Sequence, residues 1–233
     1  MANQEHVKIA SSGPDALDNW RENNPDVQLD LEGADLSGVN LAGTKIRGAN
    51  LKGANLSGAR LSRANLAGAD LSGADLSEAD FGQAGMAGVD LTSATVINAN
   101  LFWADMKGAN LKNAVLTSCR MNRVNLIGAD ISGADFSQSN MIEADLRNAD
   151  MTNARFQSAN MNGADLSRAT MPGADFNLAM IRDSMWIATD VRGASFKQAS
   201  LHRSDFTLAK WDDKTAFPDN FDPEDTGPKD VND

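Results

Sequence analysis

The 233-residue sequence has no tyrosine, one cysteine, two histidines and six prolines, and no long uninterrupted apolar run. Each shortage excludes something. A single thiol, Cys119, cannot form an internal disulfide, so the fold is not a disulfide scaffold, and a reducing cytoplasm is compatible. His6 and His202 have no Cys or His partner at metal-ligand spacing, and the frequent serines are expected to face solvent with no histidine to activate them. The sequence therefore supplies no catalytic residue, no metal site and no cofactor motif. Without an apolar run of about 18 residues, no transmembrane helix is expected. The opening MANQEHVKIA lacks the basic-then-apolar profile of a signal peptide.

What is abundant is a period of five. In ANLAGADLSGADLSEAD, Ala64 to Asp80, Leu66, Leu71 and Leu76 alternate with Ala64, Ala69, Ala74 and Ala79. Five residues fit neither common period. On an α-helix successive leucines would spiral round the whole surface. On a straight strand they would fall on opposite faces. The chain must bend once per repeat, so that every large residue points to one axis. The frame holds at every fifth residue from Leu31 to Trp211, 37 positions in all. The residue two before each is small, mostly alanine, with Cys119, Ser139, Ser184 and Ser204 as substitutes. Leu29, Val39, Val89 and Val124 are larger and are expected to bulge the wall.

Identities recur at twenty. Phe136, Phe156, Phe176 and Phe196 form one column; Met121, Met141 and Met161 form another. A spacing of fifteen scatters them. Four sides per lap follow, and at about 4.8 Å per lap the rod is about 44 Å long. One column of corners is rich in Gly and Asn (Gly33, Gly53, Gly73, Asn113), which tolerate positive φ and suit type II-like turns. The next column reads Gly38, Gly58, Glu78, Asn98, Ser118, Gln138, Ser158, Leu178, which predicts a different turn on that side.

ANLKG at Ala49–Gly53, ANLSG at Ala54–Gly58 and ADLSG at Ala69–Gly73 resemble the pentapeptide repeat family, with its consensus A(D/N)LXX. The resemblance implies an all-β fold, a right-handed quadrilateral β-helix; the handedness comes from the resemblance alone. It also implies a role in binding other proteins, since some members bind type II topoisomerases such as gyrase by imitating DNA.

Three regions are expected. Residues 1–28 hold an N-terminal segment with a short capping helix over Ser11–Asn24, N-capped by Ser12. Residues 29–213 form the repeat β-helix. Residues 214–233 form a C-terminal cap built on Phe217 and Phe221 and a disordered tail beginning at Glu224.

The net charge is −11, and it is unevenly spread. The side bearing Asp70, Asp90, Asp130, Asp150 and Asp190 is strongly acidic and is the candidate DNA-mimic face. The opposite side carries Arg60, Arg63, Arg120, Arg123, Arg182 and Arg203. Most aspartates read as the ordinary solvated residue of the repeat. The rod's charge falls well short of the one charge per roughly 1.7 Å of duplex DNA. Direct nucleic-acid binding is disfavoured by the net charge.

A second candidate is local. Phe102 and Trp103 occupy outward slots that elsewhere hold Ser, Gly or Lys. Trp103, Arg123 and Glu143 fall in one vertical row, with Ile142 beside it, and an exposed aromatic–arginine cluster suits a partner contact. Outward Ile127, Ile187, Met180 and Met185 suggest a further contact or a dimer surface. No insertion in the repeats suggests a concave pocket. The sequence thus reads as a cytoplasmic, non-enzymatic, rigid protein-interaction rod of unidentified partner, with a DNA-mimic binder of gyrase as the alternative.

Overall fold

The computed structural model describes residues 2–226. Two helices, α1 (Gln4–Ser11) and α2 (Pro14–Asn23), precede a coil of four-sided laps. Parallel bridges join each side to the side twenty residues on, from Asp30↔Asn50 to Asp190↔Lys210. Nine laps of four pentapeptides therefore separate Asp30 from Lys210.

The backbone accounting of a single repeat explains the consensus. In Ala69–Gly73, the Ala69 N–H closes its turn onto Leu66 O at 2.9 Å. Asp70 N–H reaches back to Ala49 O at 3.0 Å, while Leu71 and Gly73 N–H reach forward to Asp90 O and Thr92 O at 2.7 and 2.9 Å. Only the Ser72 N–H is left, and Asp70 Oδ1 accepts it at 2.9 Å. All five donors are thus satisfied, as a half-buried backbone requires. The aspartates are not merely solvated residues: Asp or Asn is the side chain that closes the account. Met171-Pro172-Gly173 makes the same point in reverse. Pro172 has no N–H to cap, and Thr170 stands where the acid would otherwise be.

Inside, one large and one small side chain per repeat fill the axis. Every fifth residue from Leu31 to Phe206 is buried. Phe136, Phe156, Phe176 and Phe196 stack at 4.9–5.2 Å between centroids with only 4° between planes. That separation is close to the strand spacing, so successive laps superpose with little twist, as stacked side-chain ladders favour. Polar substitutes at the small site are absorbed locally. Ser139 Oγ accepts Cys119 N–H at 3.0 Å and donates to Leu116 O at 2.6 Å, bridging a turn that alanine closes directly.

Several local features differ from what the spacing predicts. The two corner columns share one turn: Glu78, Asn98, Ser118, Gln138, Ser158 and Leu178 all have φ of +57 to +63°, and the glycine corners of both columns have φ of +62 to +72°. Positive φ costs a non-glycine residue of order 1 kcal/mol, but the corner N–H still bonds to the next lap, as in Glu78 N–H to Ile97 O at 2.8 Å. The larger small-site residues do not bulge the wall: Asn110 N–H meets Val89 O at 2.9 Å and Asp145 N–H meets Val124 O at 3.0 Å, ordinary values here.

Trp211 does not reach the axis; it is 36% exposed. One extra residue enters the last lap, so Ser195 pairs with Ala216 and Phe217 completes the phenylalanine column at 5.3 Å from Phe196. At the other end α2 is N-capped by Gly13 (φ +97°), not Ser12, whose hydroxyl instead donates to Lys8 O at the end of α1. α1 and α2 occupy acceptors and donors that have no preceding lap. His6 Nδ1 accepts Asp30 N–H at 3.0 Å, and Asp18 Oδ1 accepts Lys45 N–H at 3.2 Å. Such cover protects an open sheet edge. The segment expected to be disordered starts in order: Pro223–Asp225 is a 3₁₀ turn, and Thr226 Oγ1 accepts Phe206 N–H at 3.2 Å. The rest of that segment, 227–233, lies outside the described residues.

Candidate functional site

The acidic column spends much of its capacity on the fold. Asp70, Asp90, Asp130 and Asp150 each accept the N–H two residues ahead at 2.9–3.0 Å. The hydroxyls of Thr92, Ser132 and Thr152 add donors to Asp90, Asp130 and Asp150 at 2.6 Å. Asp190 is clamped by Arg192 through Nε at 2.9 Å and Nη2 at 2.6 Å, and these bonds hold its carboxyl below the usual carboxylate range. Burial alone would raise Asp130, but the Ser132 hydrogen bonds and Lys112, 3.9 Å away, outweigh it and hold it low. Basic neighbours, Lys112 and Arg192, screen two of the five carboxylates.

The opposite side holds the second candidate. Trp103 is half exposed, with φ +58° at its corner. Arg123 Cζ sits 5.6 Å from the centre of its ring, and Arg123 Nε donates to Glu143 Oε2 at 2.6 Å. One side chain thus stacks on an indole and pairs with an acid one lap further on. Ile142 is partly exposed beside Glu143. Phe102 lies 6.2 Å from Trp103, and Arg120 Cζ lies 5.0 Å over its ring. The second cation–π contact was not foreseen, although Phe102 and Arg120 stand in adjacent columns one lap apart. An exposed ion pair contributes little stability, so the cluster offers contact area and charge rather than rigidity.

The same side is not flat. Ala42, Ser62 and Gly82 occupy the first outward slot of three successive laps, and Phe102 fills it in the fourth. The result is a groove ending at the Phe102 ring, bordered by Arg63 and Gln83 on one rim and Asp80 and Asn100 on the other. The repeats carry no insertion here, and none is needed: three small side chains before an aromatic make the hollow.

Towards the C-terminal end Leu178, Met180, Met185 and Leu208 are 42–76% exposed. His202 is exposed, and His6 is committed to Asp30. Among the described residues no group of three or more His, Cys, Asp or Glu is placed to hold a metal. No described helix is long and apolar enough to cross a membrane.

A family model described as pentapeptide repeats matches in eight copies, among them residues 27–53, 54–92, 97–133, 119–157, 129–168, 139–177 and 150–185. No curated protein sequence matches. Among solved structures, QnrB1, a plasmid-mediated fluoroquinolone resistance protein, is 18% identical; the match covers 75% of this chain and 92% of that one, with a TM-score of 0.52. HetL, involved in heterocyst differentiation regulation in the cyanobacterium Nostoc, is 21% identical over 86% of this chain and 92% of its own, with a TM-score of 0.35. A pentapeptide repeat protein from the Arabidopsis thaliana thylakoid lumen is 40% identical over 42% of this chain and 68% of its own, with a TM-score of 0.22.

Proposed function

The chain belongs to the pentapeptide repeat family, and from that premise we propose that it acts as a non-enzymatic, rigid protein-interaction rod. The observation that carries the reading is the cluster of Phe102, Trp103, Arg123, Ile142 and Glu143. The repeat needs no aromatic in these slots, because its large residues face the axis. Two aromatics with arginine over each ring are the composition of an interface anchor rather than of a solvated surface. A cytoplasmic setting suits the lone buried thiol Cys119. Exposed Met180 and Met185, with the partly buried Ile187 and Ile127, leave room for a second copy of the chain on the same rod. The test is capture of partners from the native cell by wild type and by a Trp103→Ala, Phe102→Ser variant. Loss of a specific partner is expected, and identical capture would remove the anchor from the account.

The second reading is a DNA-mimic binder of gyrase through Asp70, Asp90, Asp130, Asp150 and Asp190. Its support is the alignment of these carboxylates on one side. Against it, laps stand about 4.8 Å apart, so even an unbroken column carries about a third of the charge density of duplex DNA. Inhibition of gyrase supercoiling by the purified protein at micromolar levels would favour it; no effect would remove it.

A further inference from the structure

We propose that the groove of Ala42, Ser62 and Gly82 binds an extended acidic peptide segment of a partner protein, with an aromatic side chain packed on Phe102. This rests on the interaction reading above and names the chemistry of the partner.

Arg60 belongs to the column where Asp or Asn caps the N–H two residues on, as Asn40 does for Ala42 and Asp80 for Gly82 at 3.2 and 3.0 Å. Replacing the cap by arginine has two effects. It adds a cation, and it leaves the Ser62 N–H without an acceptor among the described residues. Arg63 then stands on the opposite rim, its Nε donating to the neutral Gln83 Oε1 at 2.9 Å. None of the ion pairs among the described residues includes Arg60 or Arg63. Arg63 and the free Ser62 N–H therefore lie on the groove, with the exposed Arg60 two residues before Ser62, a donor set that suits a carboxylate.

The nearest acid, Asp80, is already occupied by Gly82 N–H and by Asn100 Nδ2 at 2.7 Å. A Cβ on Gly82 would come within 3.2 Å of both Asp80 Oδ1 and Asn100 Nδ2, so the floor is held open at that lap by the absence of a side chain. From Ala42 to Phe102 the groove spans three lap intervals, about 14 Å, enough for about four residues of extended chain. Charge complementarity selects an acidic segment. Phe102, with Arg120 behind it, supplies the apolar end.

The test is fluorescence anisotropy with a labelled peptide of alternating glutamate and phenylalanine, beside a lysine–phenylalanine peptide of equal length and a short labelled single-stranded DNA. Wild type is expected to bind the acidic peptide, and binding should weaken with salt. Arg60→Asn restores the turn cap, so its unfolding midpoint should be equal or higher, yet peptide affinity should fall about tenfold. The Arg60→Glu, Arg63→Glu pair should abolish binding. Equal binding of the lysine peptide, tighter binding of the DNA, or acidic-peptide binding unchanged by these substitutions would overturn the proposal. If the acidic peptide does not bind while partner capture still depends on Phe102 and Trp103, the groove inference falls and the interaction reading stands.

Discussion

Asp70 and Ser72 are joined by a 2.9 Å hydrogen bond in which the carboxylate receives the N–H two residues ahead, the one donor of the repeat that no backbone carbonyl receives. The bond assigns a separate cost to each substitution at the column. Asp70→Ala should lose about 1 kcal/mol, while Asp70→Asn should stay near wild type because the amide oxygen still accepts. Thr170→Ala, beside Pro172, should change almost nothing. Denaturant unfolding checks all three.

The phenylalanine column should be the costliest place to cut. Phe156 is fully buried, with its ring between Phe136 and Phe176 at 5.2 and 4.9 Å. Phe156→Ala should destabilise by about 3–5 kcal/mol. Phe156→Leu, the residue found at Leu36, Leu56 and Leu76 of the same column, should cost far less. Because stability in a solenoid is shared between neighbouring laps, the alanine variant should also broaden the transition.

Acid should loosen the coil below about pH 4. Hydrogen bonds from Ser37 hold Asp35 low; those from Arg192 hold Asp190 low; the Gly193 N–H holds Asp212 low. In Asp135, burial pushes the carboxyl up, but Ser137 and Arg155 outweigh it. A depressed folded pKa contributes stability above the unfolded value of about 3.9, and that contribution is lost as pH falls through the folded value. Unfolding midpoints should therefore hardly respond to these groups from pH 7 to 5 and should fall below about pH 4. A decline that begins near pH 6 would point to other groups.

Cys119 should be inert while the coil is intact. Burial pushes its thiol up to about 12, and Sγ donates to Val96 O. Alkylating reagents at pH 8 should modify it only on unfolding. Cys119→Ser should fold normally, since Ser139 already occupies the next site of that column. Mass spectrometry with and without denaturant reads the difference.

The path of the chain was legible because it rests on a period: five residues per side and twenty per lap survive any single substitution. Corner geometry was not, because Glu78 and Leu178 read alone argue against positive φ, and only the inter-lap bonds show what offsets it. Trp211 carried the right residue type at the right spacing, yet it is left exposed, and one added residue after Lys210 puts Phe217 at the end of the next column. α1 is too short for its periodicity to stand out, and its partner, the exposed start of the first lap, is visible only in three dimensions. At the candidate site the row of Trp103, Arg123 and Glu143 followed from spacing. The groove did not, since it consists of side chains that are small or missing.

Partners are expected to meet the arginine–aromatic side of the rod rather than its aspartate column. The most direct measurement is a parallel affinity capture with Trp103→Ala, Phe102→Ser and with Asp70→Asn, Asp90→Asn, Asp150→Asn, substitutions that keep the turn caps. Loss of the partner with the first variant and retention with the second is the predicted result. Retention with the first and loss with the second would contradict it.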